Sequence, residues 1–235
     1  RVEAKPTRRI PRNEQDFPMT RYTVESTTES GERLIDLRDT RTGAYGRLWP
    51  AFGNNLFEAR VPSPHGGLAD LLLAPDSFDA LRLHPSGSGI PLLFPSPGRI
   101  PRGEYEFQGR RIVMGGLDAH GNVLHGFALT RPWRVTTTRA TDESACVTGV
   151  FSSDAHPDTL DGYPFPYRVE VAYRLDDTGL TLDAVVANTG SGPMPFGFGP
   201  HPYFRIPFTD KGRREACRVV IPANRRWKPA VYSDV

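Results

Sequence analysis

At 235 residues, with 38% hydrophobic and 24% charged side chains, the chain suits one large β domain or two small ones and is too balanced for general disorder. Its 29 basic and 27 acidic residues are interspersed and leave a formal charge of only +2. That gives no field strong enough to hold nucleic acid or an anionic membrane. Gly and Pro, 23 of each, are spread without a repeat period, which excludes collagen-like and low-complexity chains and favours many short strands joined by turns.

Residues 1–18 are polar, basic and punctuated by proline, and read as a loose arm preceding one domain over 19–235. The arm carries no apolar signal core, and no stretch is apolar for long enough to span a bilayer, so a cytoplasmic location is expected. From Tyr22 onward, short apolar runs are cut by turn residues. Arg33 to Arg38 alternates imperfectly, and Asn54 to Val61 reads as a strand that Pro62 ends. Leu71-Leu72-Leu73 predicts a short buried run, and Pro75 to Leu83 has room for a helical turn or two.

The clearest signal spans Tyr167 to Val186. Val169, Val171, Tyr173 and Leu175 alternate with polar residues, Asp176-Asp177-Thr178-Gly179 supplies a turn, and Leu180, Leu182, Ala184 and Val186 resume the alternation. This predicts a hairpin with one buried face and a positive φ at its glycine. A mostly antiparallel, all-β architecture follows.

Cys146 and Cys217 lack CxxC spacing and read as two free thiols. His120 and His125 have no HExxH context or carboxylate cluster, so no metal is expected. Phosphate-loop, dinucleotide and GxSxG motifs are absent.

Three segments carry candidate chemistry. In the first, Gly89 to Ile100, a proline-rich turn presents Arg99, whose fork of N–H groups suits sugar hydroxyls; taken alone it is an exposed loop arginine. In the second, Gly121 to Trp133, His125 is flanked by apolar residues and Gly126, where a second group can approach the backbone. Trp133 offers a flat face for a sugar ring. Taken alone, His125 is a hydrogen-bonded core histidine and Trp133 a core aromatic. In the third, Asn188 to Phe204, His201 lies between two prolines and precedes Tyr203 and Phe204. A backbone so constrained is typical of a place where a side chain must be aimed, and here the structural and functional readings stand level.

In this order, FPSPGRIPRGEYEFQGR (94–110), NVLHGFALTRPWRV (122–135) and NTGSGPMPFGFGPHPYF (188–204) resemble the aldose 1-epimerase, or mutarotase, family, over a framework of roughly 30–230. The resemblance implies an antiparallel β-supersandwich of the galactose mutarotase-like type. It also implies interconversion of the α and β anomers of a free hexose by ring opening and reclosure, with no cofactor. By motif position, His201 matches the general acid at the ring oxygen, and His125 the histidine that binds and polarises the same region. Arg99, Trp133 and Tyr203 complete the expected sugar-binding set.

Two departures accompany it. The family usually has Asn where this chain has Gly98, and its downstream glutamate base and substrate-binding aspartate are unmatched, Asp234 being no substitute. The domain is therefore expected to be incomplete at its C-terminal side. A hexose-6-phosphate epimerase is an alternative, with Arg102, Arg110, Arg111 and Arg131 as candidate phosphate ligands. So is a carbohydrate-binding module that no longer turns its sugar over. The expected partner in every case is a small-molecule sugar.

Overall fold

The computed structural model describes residues 20–210 and 212–225, so the arm predicted over 1–18 lies outside the described residues. Five antiparallel strands, β1 (Tyr22–Glu29), β2 (Glu32–Asp39), β3 (Tyr45–Trp49), β4 (Asn55–Pro62) and β5 (Leu68–Asp70), form one sheet in sequence order. A helical turn, α1 (Phe78–Leu83), follows, capped by the Ser77 hydroxyl, which accepts from the Ala80 amide at 3.1 Å. Short elements then build one end of the molecule: β6 (Leu92–Leu93), β7 (Arg99–Pro101), β8 (Glu104–Phe107), β9 (Arg110–Val113) and β10 (Asn122–Leu124). A second sheet of four antiparallel strands comprises β11 (Arg134–Ala140), β12 (Ser144–Ser152), β13 (Tyr167–Asp176) and β14 (Gly179–Asn188), with the single turn α2 (Thr159–Gly162) between β12 and β13. β15 (Gly199–Pro200) pairs back onto β6. The architecture is antiparallel and nearly all β, as the turn-rich sequence predicts, and no helix among the described residues is long and apolar enough to cross a membrane.

The imperfect alternation of β2 has a physical cause: both of its faces are covered. Ile35 and Leu37 enter the main core, while Leu34 packs on the other side with Trp49, Phe57 and Leu81 of α1. Asp36 on that second face is fully buried. Burial works against its charge, but the guanidinium groups of Arg47 and Arg38, both within 2.8 Å, prevail and hold the carboxyl below its usual range.

The predicted hairpin is β13–β14, paired from Tyr167↔Asn188 to Asp176↔Gly179, with Gly179 at φ +124° and the Asp176 carboxylate accepting from the Thr178 amide. Val169, Val171, Tyr173 and Leu175 are buried, each such side chain contributing about 1.5–3 kcal/mol. β14 is covered less: Leu180, Leu182 and Val186 are half-buried and Ala184 is exposed, because β14 is the last strand of its sheet. The Leu71–Leu73 run also corrects expectation. Leu72 is buried and bridges Phe204, whereas Leu73 is half exposed, since the extended chain there turns alternate residues outward. The two sheets enclose an aromatic core in which Phe94, Phe127, Phe151, Tyr163 and Tyr167 meet mostly edge-on or tilted, with Phe151 stacked on Tyr167.

Candidate functional site

The stretch 91–99 lies between the two histidine-bearing segments and bonds to both. On one side, Leu93 and Leu92 pair with Gly199 and Pro200, the His201 amide donates to the Pro91 carbonyl at 2.9 Å, and just before the stretch the Gly89 carbonyl accepts from the Tyr203 amide at 2.9 Å. On the other side, Phe94 bridges Gly126 in parallel, the Phe127 amide donates to the Phe94 carbonyl at 3.0 Å, and Arg99 of β7 pairs with Leu124 of β10. Two histidines far apart in sequence are thereby brought together, with ring centroids 5.4 Å apart and planes at 63°.

Local backbone form decides how His125 is aimed. His125 stands at φ +65°, in the left-handed region that non-glycine residues enter at a cost of about 1–3 kcal/mol. Gly126 follows at φ +73°, and a Cβ there would fall 2.2 Å from the Phe94 carbonyl oxygen. The close approach anticipated at Gly126 is this one, and only glycine allows it. His201 is held by its main chain and by Tyr203, whose ring stacks on it at 5.0 Å and 26°. Its Nδ1 is buried and has no hydrogen-bond partner among the described residues. The preceding loop is tied down where the Tyr163 hydroxyl donates to the Pro195 carbonyl at 2.6 Å.

Around the pair the electrostatics are positive. Burial first, then the neighbouring His201 and Arg99, push the His125 imidazole below its ordinary value, because burial disfavours its charged form and basic neighbours add to that. Arg99 is half exposed beside the pair, with its Nε 3.6 Å from the Asp118 carboxylate. Asp118 was not anticipated. Its Oδ1 accepts from the Asn122 and His120 amides, both at 2.9 Å; these bonds, Asn122 first, help hold the carboxyl in its charged form, below the usual range. An Asp placed two and four residues before a His and an Asn in a Gly-containing turn is the sequence signal for it. Among the described residues no group of three or more His, Cys, Asp or Glu is placed to hold a metal ion, and both cysteines are free thiols.

Trp133 is not brought to the histidine pair. Only 4% exposed, it stacks on Phe151 at 5.4 Å and donates its indole N–H to the Ala128 carbonyl at 3.0 Å. Its open edge borders a separate cavity of about 630 Å³, between β1 and β11, lined also by Val24, Arg33 and Thr136. The core thus takes up nearly all of the Trp133 ring, in line with its reading as a core aromatic. Of the arginines considered for phosphate, Arg102 and Arg111 both pair with Glu104, and Arg131 pairs with Asp158 at 2.6 Å.

The family model described as aldose 1-epimerase matches residues 48–229. The chain belongs to the aldose 1-epimerase family. Among solved structures, a galactose mutarotase-like protein from Clostridium acetobutylicum is similar at TM-score 0.70 and 23% identity, over 81% of this chain and 56% of that one. The Slr1438 protein of Synechocystis is similar at TM-score 0.53 and 26% identity, over 77% of this chain and 54% of that one. These likenesses give the sheets described above as the galactose mutarotase-like sandwich. The uncharacterized protein YihR of Escherichia coli is 28% identical over 162 residues, which are 65% of this chain and 49% of YihR. The chain spans about half the length of the relatives it matches.

Proposed function

We propose that the site formed by His125, His201 and Arg99 binds a free aldose and takes part in interconverting its α and β anomers. The observation that carries this reading is the convergence of two histidines, 5.4 Å apart, from two of the three family-like segments. Anomer exchange needs a proton delivered to the ring oxygen while the anomeric hydroxyl loses one. By motif position this delivery falls to His201, histidine being a side chain suited to giving and regaining a proton. His125 stabilises charge on the same oxygen, Arg99 and Tyr203 hold hydroxyls, and no step needs a cofactor. A free sugar is favoured over a hexose 6-phosphate because three of the four candidate arginines already face carboxylates, so a phosphate would have to displace them.

One observation favours the sugar-binding module as a second reading. Asp118, the carboxylate in contact with Arg99, is committed to two backbone amides and a guanidinium, which makes it a weak base. Decay of optical rotation of fresh α-glucose and α-galactose, with and without the chain, separates the readings. Acceleration that His201→Ala lowers by about 10²–10⁴ supports epimerase activity. Binding without acceleration supports the module, and acceleration only with glucose 6-phosphate overturns the free-sugar assignment.

A further inference from the structure

We infer that the backbone of Gly98 fixes the tautomer of His125, making this histidine a dedicated hydrogen-bond donor through Nε2 and leaving proton transfer in the pair to His201. The inference deepens the sugar-site reading and rests on it for the substrate alone. The Gly98 amide donates to His125 Nδ1 at 3.1 Å, and the His125 amide donates to the Gly98 carbonyl at 2.8 Å. A backbone amide can only donate, so Nδ1 must present its lone pair, and the single proton of the neutral ring resides on Nε2. Protonating Nδ1 would set one N–H against another. The lone pair that a base would need is therefore already in use.

The surroundings support the same state. His201 from the β15 side and Arg99 from β7 face the ring, Asp118 stands behind the arginine, and the first two disfavour an imidazolium. Rotation of the ring off the Gly98 amide is opposed by the turn itself. His125 is fixed at φ +65°, and Gly126 is pressed against the Phe94 carbonyl. Gly98 stands at φ +91°, with open space where a Cβ would point. Glycine is therefore suited to this place by its backbone angle, which aims the amide at the ring, and not by crowding. His201 differs, since its buried Nδ1 has no partner among the described residues to commit it to one tautomer. Gly98 is in this sense a positioning residue: it acts on the sugar through His125.

Long-range ¹H–¹⁵N correlation spectra of the labelled chain test the inference without any sugar. At pH 7 His125 should show a pyridine-like Nδ1 and a pyrrole-like Nε2. A pyrrole-like Nδ1, or two averaged shifts, would overturn it. Two variants separate clasp from donor. His125→Asn places an acceptor at the Nδ1 position and removes the Nε2 donor, so the Gly98 amide should keep its hydrogen-exchange protection while glucose binding weakens. His125→Gln keeps a donor near the Nε2 position and loses the clasp, so the Gly98 amide should exchange about tenfold faster, the worth of one ordinary hydrogen bond. Equal protection of Gly98 in both variants would also overturn the inference. Failure of the unmutated chain to bind glucose or galactose would count against the sugar site alone, because the spectra read the tautomer independently.

Discussion

Gly126 and Gly121 offer a matched pair for measuring what the close approach beneath His125 is worth. Their φ angles are +73° and +76°, so an alanine meets the same left-handed penalty at either, roughly 1–2 kcal/mol. The stiffening of the unfolded chain, about 0.4–1 kcal/mol in the opposite sense, is common to both. Their surroundings differ. A Cβ at Gly126 falls 2.2 Å from the Phe94 carbonyl oxygen, 2.5 Å from its carbon and 2.7 Å from Pro95 Cδ, whereas one at Gly121 meets nothing within 4 Å. Two of the three neighbours are backbone atoms, so relief requires the main chain to move, at about 1–3 kcal/mol for such overpacking. Gly126→Ala should therefore be less stable than Gly121→Ala by that amount. With a urea slope of about 2 kcal/mol/M, its unfolding midpoint should lie about 0.5–1.5 M lower. Equal midpoints in the two variants would refute the claim that the Phe94 carbonyl is what demands glycine at 126.

Trp133→Ala should cost about 3–5 kcal/mol of stability in urea unfolding, as expected for a core aromatic, while the sugar affinity of the folded fraction stays unchanged. A loss of affinity without loss of stability would instead make Trp133 part of the sugar site. For His125, the depressed native value means that the unfolded chain takes up a proton near pH 6.5 which the folded chain refuses. Its contribution to stability is accordingly full above about pH 6.5 and declines as pH falls from there to the native value. Urea midpoints at pH 7 and 5.5 should differ less for His125→Asn than for the unmutated chain; an undiminished difference would show that this imidazole is not the source.

How much of this was legible in the sequence depended on what each side chain faces. The β13–β14 hairpin was plain because β13 has one face in the core and one outside, so burial alternates with residue number. β2 was obscure because Leu34 and Ile35 are both buried, on opposite faces, and no binary pattern survives that. The histidine segments could be read because glycine and proline mark their special backbone path. Asp118 and the Gly98 amide could not be read so directly. One acts through a turn and a neighbouring strand, the other through a main-chain N–H that no residue letter encodes. Trp133 was ambiguous for the opposite reason: an indole suits a core and a sugar platform equally, and its stacking on Phe151 is what ties it to the core.

The placing of the 91–99 stretch between both histidine segments also has a kinetic meaning. The β13–β14 hairpin closes across a two-residue turn and can form early, from contacts local in sequence. The histidine pair cannot, because β6 must find β15 across the whole of the second sheet before His201 arrives. Closing so long a loop costs entropy before any compensating contact exists. The histidine pair is thus among the last features a refolding chain would assemble, and local opening at β6–β15 would undo it while the β-sheet content remained largely intact.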